Sequence, residues 1–445
     1  MCDDAPECDV LRSALHRLVE GAAGFNPLMD LASDANFVLL GEASHGTHDF
    51  YEIRATITKR LIAEKGFQAV AVEADWPDAY RVNEFIRGRG SDPTADRALS
   101  GFTRFPVWMW RNRDVEAFVR WLRAYNEVAP SYDPQIGFYG LDLYSLSRSR
   151  DEVIRYLHTV DPEAARRARN RYACFDHYGE DEQAYGYAAG FRLSRSCEDE
   201  VVQQLRDLQR HTYQYLHRDG QIAEDDFFSA EQNARLVKNA EEYYRAMFQS
   251  RVNTWNLRDR HMAETLQALA AHLARRYGRA KVVVWAHNSH LGDARATDRA
   301  ESGEWNLGQL VREQSAHTLL AGFTTYTGTV TAASDWGGPH ETKRVRPALE
   351  GSYEALFHDV GVPRFLATFR GDETLSSAFR SDRLQRAIGV IYRPDTERIS
   401  HYFSARLADQ FDAVIHIDQT TAVEPLPHAE EEQTAETPET YPIGV

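Results

Sequence analysis

In VLLGEASHGTHDFYEIR, Val38 to Arg54, the residues Glu42, Ser44, His45, His48 and Asp49 crowd one turn between an apolar run and an amphipathic one. Glu42 and His45 stand three apart beside glycine. At that spacing a carboxylate can orient an imidazole and stabilise its protonated form, as general base catalysis requires. A helix cap explains Asp49 and Glu52, whose spacing resembles a capping box, but capping has no need of an imidazole at His45. Adjacent side chains in a turn diverge, so activated water is a better nucleophile here than Ser44.

Further on, Glu73 closes an apolar run in VEADWPDAY, where a carboxylate is costly unless it is paired or functional. A buried ion pair to Arg54, on the second turn of the helix after His45, is the structural alternative. VVVWAHNSHLGDAR sets His287 and His290 just beyond another apolar run. Two or three histidines with a carboxylate also suit zinc. There is no HExxH and no CxxC, and spacing alone does not separate metal ligand from base. GxSxG, GxxxxGK[ST] and GxGxxG are absent as well. The aromatic-dense GFTRFPVWMWRNRD, 101–114, offers Trp108 and Trp110 as walls of an apolar pocket, with core packing as the alternative.

The elements that must hold these residues are short and apolar. FVLL (37–40), AVAVE (69–73), IGFYGLD (136–142), KVVVWA (281–286), LLAGF (319–323), RFLATF (364–369), IGVIY (388–392) and AVIHI (413–417) read as strands. Their continuous apolar character predicts a mainly parallel sheet covered on both faces. Helical spacing of Phe50, Ile53, Ile57 and Leu61, ended by Gly66, and of Val115, Phe118, Val119 and Leu122 supplies flanking helices, giving an α/β fold. Glu42, Glu73, Asp142, His287 and His290 then all follow strands, and the carboxyl ends of parallel strands face one crevice. Between 144 and 279 the strand signal gives way to charged, tyrosine-rich helical sequence. We therefore expect a core in two parts, 1–143 and 280–426, with a helical subdomain at 144–279 over the cleft and a disordered acidic tail at 427–445.

The 445 residues include 51 basic and 67 acidic ones, a net charge of −16, with 43% hydrophobic content. This balance makes nucleic acid and anionic membranes poor partners. The first residues, MCDDAPECDV, do not read as a signal sequence, and no apolar run approaches the ~20 residues of a membrane span. A cytoplasmic protein is the expectation. Cys2, Cys8, Cys174 and Cys197 are too sparse for a disulfide scaffold and are expected to be free thiols, a Cys2/Cys8 pair being the alternative.

LLGEASHGTHDFYEIR, VAVEADW, NTWNLRDRHMAETL and VVVWAHNSHLGDA occur in an order that resembles the erythromycin esterase family, over about Phe37 to His416. The resemblance implies hydrolysis of a small-molecule ester or lactone by activated water, with no covalent intermediate and no cofactor or metal. It implies His45 as base, Glu42 and Glu73 as its supporting carboxylates, Arg54, and the later His287 and His290. Arg258, in NLRDRHMAE, matches a family motif and would reach the cleft from the helical subdomain. Ser44 stands where the family's resistance enzymes usually carry Thr. The segments 335–349 and 392–418 look like those of its environmental members, which leaves the substrate open. A divalent-metal hydrolase using the same cluster and a non-catalytic small-molecule binder are the competing readings.

Overall fold

The computed structural model describes residues 6–18, 22–128, 135–179, 181–216, 221–248 and 251–427. Its strands are β1 (His16–Arg17), β2 (Phe37–Leu40), β3 (Ala69–Asp75), β4 (Gly137–Asp142), β5 (Val282–Trp285), β6 (Thr318–Ala333), β7 (His340–Val345), β8 (Arg364–Thr368), β9 (Arg383–Arg386), β10 (Tyr402–Ala405) and β11 (Ala413–Thr420). One large sheet has the order β1-β8-β11-β6-β2-β5-β3-β4, with β7 beside the far end of β6; β9 and β10 form a separate antiparallel pair. The six strands from β11 to β4 run parallel. Strand β8 joins antiparallel at the β11 edge.

The apolar runs are continuous because each strand is covered on both faces. Val38, Leu40, Val283 and Trp285 enter one apolar cluster, while Leu39, Val282 and Val284 enter the other. The helix His48–Lys65 packs Phe50, Ile57 and Leu61, all fully buried, into the first cluster. It stops at Gly66, whose φ of 67° closes a left-handed cap. Helices from Leu146–Val160 to Arg251–Tyr277 occupy the chain between β4 and β5.

Connections leaving β2 and β5 depart to opposite sides, to β3 and to β6. The two strands are neighbours, so the crevice at their carboxyl ends is a topological switch point.

Two expectations change. IGVIY forms no strand: Ile388 makes a single bridge to Ser44, and Ile391 another to Ala333. This run braces the turn after β2, with the Ile388 N–H donating to the Ala43 carbonyl at 2.9 Å. The insert cysteines are not free thiols. Cys174 and Cys197 are disulfide-bonded at a Cα separation of 5.9 Å, and Cys8 is bonded too. A disulfide is uncommon in a reducing compartment, which weighs against the cytoplasmic expectation. Cys2 and the tail from 428 lie outside the described residues. Among those residues no helix is long and apolar enough to cross a membrane.

Candidate active site

The turn after β2 is built on close backbone approach. Gly46 packs so tightly on β6 that a Cβ would stand 1.8 Å from the Thr331 carbonyl oxygen. Its own carbonyl accepts from the Thr331 and Val423 N–H groups, both at 3.0 Å. The turn is thereby fixed against the sheet, and His45 with it. The Tyr51 hydroxyl lies 2.9 Å from the His45 carbonyl and 2.8 Å from that of Met109, joining the turn to the aromatic loop.

Within this frame Glu42 is fully buried and divided between two partners. Its Oε1 lies 2.9 Å from His45 Nδ1, and its Oε2 accepts from Arg54 at 2.6 Å. The Arg54 guanidinium is also fully buried, lying 4.4 Å from the Tyr51 ring centre and 4.9 Å from that of Trp285. A carboxylate accepts from Nδ1–H, so the His45 tautomer leaves Nε2 with its lone pair free of Glu42.

The opposite side is assembled from distant segments. Strand β3 loses its register with β4 between Val72 and Asp75, an irregularity of the kind that re-aims side chains beside active sites. Trp110 Nε1 donates to the Glu73 carbonyl there at 3.0 Å. Glu73 Oε1 accepts from Arg258 at 2.7 Å, and its Oε2 accepts from the His287 backbone N–H at 2.8 Å. Arg258 also donates to both Asp142 oxygens, at 3.0 and 2.7 Å. His290 Nδ1 meets Asp259 at 2.9 Å.

These contacts set the charges. Burial works to raise the Glu73 pKa, but His290, Arg258 and His45 overcome it and hold this carboxyl well below its ordinary range. His290 Nε2 lies 3.1 Å from an Arg258 donor and 3.3 Å from Glu73, contacts that favour opposite protonation states. Burial lowers this imidazole's pKa, yet Asp259 and Glu73 outweigh both burial and Arg258 and carry it up to about 9. His287 goes the other way: burial first, then neighbouring His45, push it well below its usual value. Its Nδ1 accepts from the Ser289 N–H at 3.2 Å, capping the helix Asn288–Leu291, and its ring centre lies 4.9 Å from that of His45. One imidazole beside His45 is thus neutral, and the next is charged.

A cleft of about 660 Å³, mouth included, opens on this cluster. It is lined by His45, Glu73, Asp142 and Arg258 at its base and by Trp110, Phe102, Phe105, Tyr144 and Trp336 along its walls. Glu42, Arg54, His287 and His290, expected at the reaction, are buried beside it without lining it. Arg54 sits behind Glu42, so it orders that carboxylate rather than touching a substrate. Trp108 is 2% exposed and belongs to the core, whereas Trp110 reaches the cleft.

Ser44 bonds Thr47 and is absent from the lining. Asp49 and Glu52 do not form the expected capping box: Thr47 is the N-cap, with no side-chain cap, and Asp49 ties down Thr421 and pairs with Arg364. His48 turns away to Asp114. The sequence reading missed Asp259 and Tyr51; Asp259 adjoins Arg258 in RDRH, a charged run inside an otherwise buried helix.

The donor set does not fit a divalent metal. Guanidinium groups occupy the places between its carboxylates, Arg54 against Glu42 and Arg258 between Glu73 and Asp142. Among the described residues no three His, Cys, Asp or Glu side chains converge as ligands. What the arrangement can do is hold one imidazole nitrogen toward a cleft, with a cation beside it.

Comparison with known proteins gives a consistent placement. The erythromycin esterase type II of Escherichia coli is 29% identical over 144 residues, 32% of this chain and 32% of its own length, so the match spans about a third of that relative. YbfO of Bacillus subtilis (strain 168) is 22% identical over 86% of this chain and 83% of its own. Among solved structures, a Bacillus cereus protein superposes with a TM-score of 0.77 at 18% identity, over 95% of this chain and 98% of the other. A succinoglycan biosynthesis protein gives 0.76 at 21%, over 94% and 97%. A mutant of the erythromycin esterase EreC in its open conformation gives 0.65 at 16%, over 90% and 94%. At these identities the structures speak for the fold. The family model for erythromycin esterase matches residues 62–420, most of the chain. The chain belongs to the erythromycin esterase family.

Proposed function

We propose that this protein hydrolyses a carboxylic ester or lactone by attack of a water molecule that His45 deprotonates. The observation that carries this reading is the division of labour on one ring: Nδ1 is held by buried Glu42 while the residue itself lines the cleft. Water gives a proton to Nε2 as its oxygen bonds the carbonyl carbon, and the carbonyl oxygen becomes an anion. Arg258, a cation lining the same cleft, faces that developing charge. The intermediate collapses by breaking the bond to the leaving oxygen, which takes the proton from His45. The helix start after Gly46 does not serve as an oxyanion donor through His48, whose N–H is engaged by the Thr421 carbonyl. The aromatic walls suit an apolar acyl or lactone body.

The test is mass spectrometry of an ester and lactone panel, a macrolide included, incubated with wild type and with His45→Asn. Gain of one water by a substrate, absent with the variant, is the expected result. Reaction in ¹⁸O-water places the label in the product acid, and intact-protein mass shows no acyl adduct. A trapped acyl-enzyme would overturn the water mechanism. A folded wild type that turns over no panel member would overturn the ester assignment.

A further inference from the structure

His287 is fully buried outside the cleft lining, and one side chain bonds its ring. Ser289 Oγ lies 2.8 Å from His287 Nδ1, and the Ser289 backbone N–H donates to the same nitrogen at 3.2 Å. An N–H aimed at Nδ1 excludes a proton there. The hydroxyl must then donate as well, which leaves the ring in its Nε2–H form. The titratable groups facing this ring are His45, Glu73 and His290. Among the described residues no carboxylate pairs with it: Glu73 takes the His287 backbone N–H instead, at 2.8 Å. Ser289 is itself anchored, its carbonyl accepting from Asn306 at 2.7 Å. It lines a separate cavity that shares no lining residue with the cleft.

We propose that Ser289 is a positioning residue for the reaction: its hydroxyl, donated to His287 Nδ1, locks that ring as the neutral Nε2–H form, so that the His45 imidazolium forms without a second cation against it. The ring centres of His45 and His287 are 4.9 Å apart. At that range a like charge strongly disfavours protonation. Protonating His287 would require Nδ1 to become a donor, and both groups that face this nitrogen are donors already. Burial and His45 press the ring toward the same neutral state. The charged imidazole of the site, His290, meets Asp259 instead of a hydroxyl, and the two histidines are thereby set to opposite charge by their partners. This inference rests on His45 as the base in the reading above.

Ser289→Ala should lower kcat roughly three- to tenfold, the worth of one neutral hydrogen bond, with KM unchanged because Ser289 does not line the cleft. Ser289→Thr, which keeps the hydroxyl, should restore kcat. Ser289→Asp sets a carboxylate before Nδ1 and should charge His287. The acid limb of kcat/KM, which reports the free base, should then move to lower pH by about one unit. A limb that moves to higher pH would mean that the new carboxylate acts on His45 directly while His287 stays neutral, and would overturn the lock. So would an alanine variant with wild-type kcat. Ring ¹⁵N spectra of histidine-labelled protein, with His287 assigned by its loss in His287→Gln, give a readout free of activity. Wild type should show Nε2–H alone and no titration across pH about 5 to 8, and Ser289→Ala should show both tautomers. A protonated Nδ1 in wild type overturns the proposal. If wild type hydrolyses no ester, the reading above has failed, and the spectrum still decides whether Ser289 locks the ring.

Discussion

The two halves of the reaction centre are built on opposite plans. Glu42, His45 and Arg54 come from one stretch of chain, the last 12 positions on from the first. Glu73, Asp142, Arg258, Asp259 and His290 come from four segments, and Arg258 is 185 positions from its Glu73 partner. The local half has one ring nitrogen turned away from its carboxylate. The assembled half is saturated with ion pairs, its guanidinium divided between Glu73 and Asp142 and its charged imidazole between Glu73 and Asp259. A group that must gain and lose a proton needs a single orienting partner and an open side. A group that only stabilises charge is better held from all sides, where it needs no reorganisation during reaction. The proposed mechanism accordingly gives proton transfer to the local half and a fixed field to the assembled one.

The sharpest way to break this division is His45→Asn. It should lower kcat/KM on the order of 10²–10⁴-fold, the usual contribution of a positioned general base, while leaving the melting temperature nearly unchanged. Activity surviving at wild-type level would move the base elsewhere. Arg258→Met should do the reverse and act first on stability, by ~3–5 kcal/mol, because Glu73 and Asp142 would remain buried without their cation. That loss should shrink as pH falls and the abandoned carboxylates take up protons. Urea unfolding at several pH values checks both points. A loss that does not vary with pH would mean that packing, and not charge, is what Arg258 supplies.

His290 gives the next effect. Its pKa rises from 6.5 to about 9 on folding, so its stabilisation is fully present below about 6.5 and disappears as pH climbs through about 9. Up to ~3 kcal/mol is at stake on that alkaline limb. Wild-type melting temperature should fall between neutrality and pH about 9, and His290→Gln should flatten that fall. A limb that persists in the variant would assign it to another group.

How much of this was legible follows from distance along the chain. The Glu42–His45 pair could be read because three residues of separation put both side chains at one turn. Continuous apolar strands gave the parallel sheet because burial on both faces leaves no polar alternate. The partner of Glu73 could not be read: Arg54, proposed from helical phase, is taken by Glu42, and Arg258 arrives from the helical insert, a placement no spacing rule contains. Asp259 escaped notice since only the structure shows that its carboxylate meets His290. Asp49 looked like a cap because Glu52 follows at the right interval, yet tertiary contact with Thr421, 372 positions on, claims its side chain. Apolar content also misled at 388–392, where single bridges replace a ladder. Cys174 and Cys197 were weighed against the length of the whole chain, although they bond within one small helical region.

The smallest effect tests whether the local half is one unit. Glu42→Gln keeps an oxygen that can accept from His45 Nδ1–H but removes the charge shared with Arg54. Because Glu42 does not line the cleft, kcat should fall roughly 10–100-fold, the usual cost of losing an orienting partner, with KM unchanged. Arg54 would be left buried without its counter-ion, so the variant should also lose stability. Arg54→Met alone strands Glu42 in the same way. The double variant removes both charges together, and its stability loss should be smaller than the sum of the two single losses by ~1–3 kcal/mol, the coupling expected of groups in contact. Simple additivity in that cycle would show that Arg54 is held by the Tyr51 and Trp285 rings rather than by Glu42. The carboxylate would then serve His45 alone.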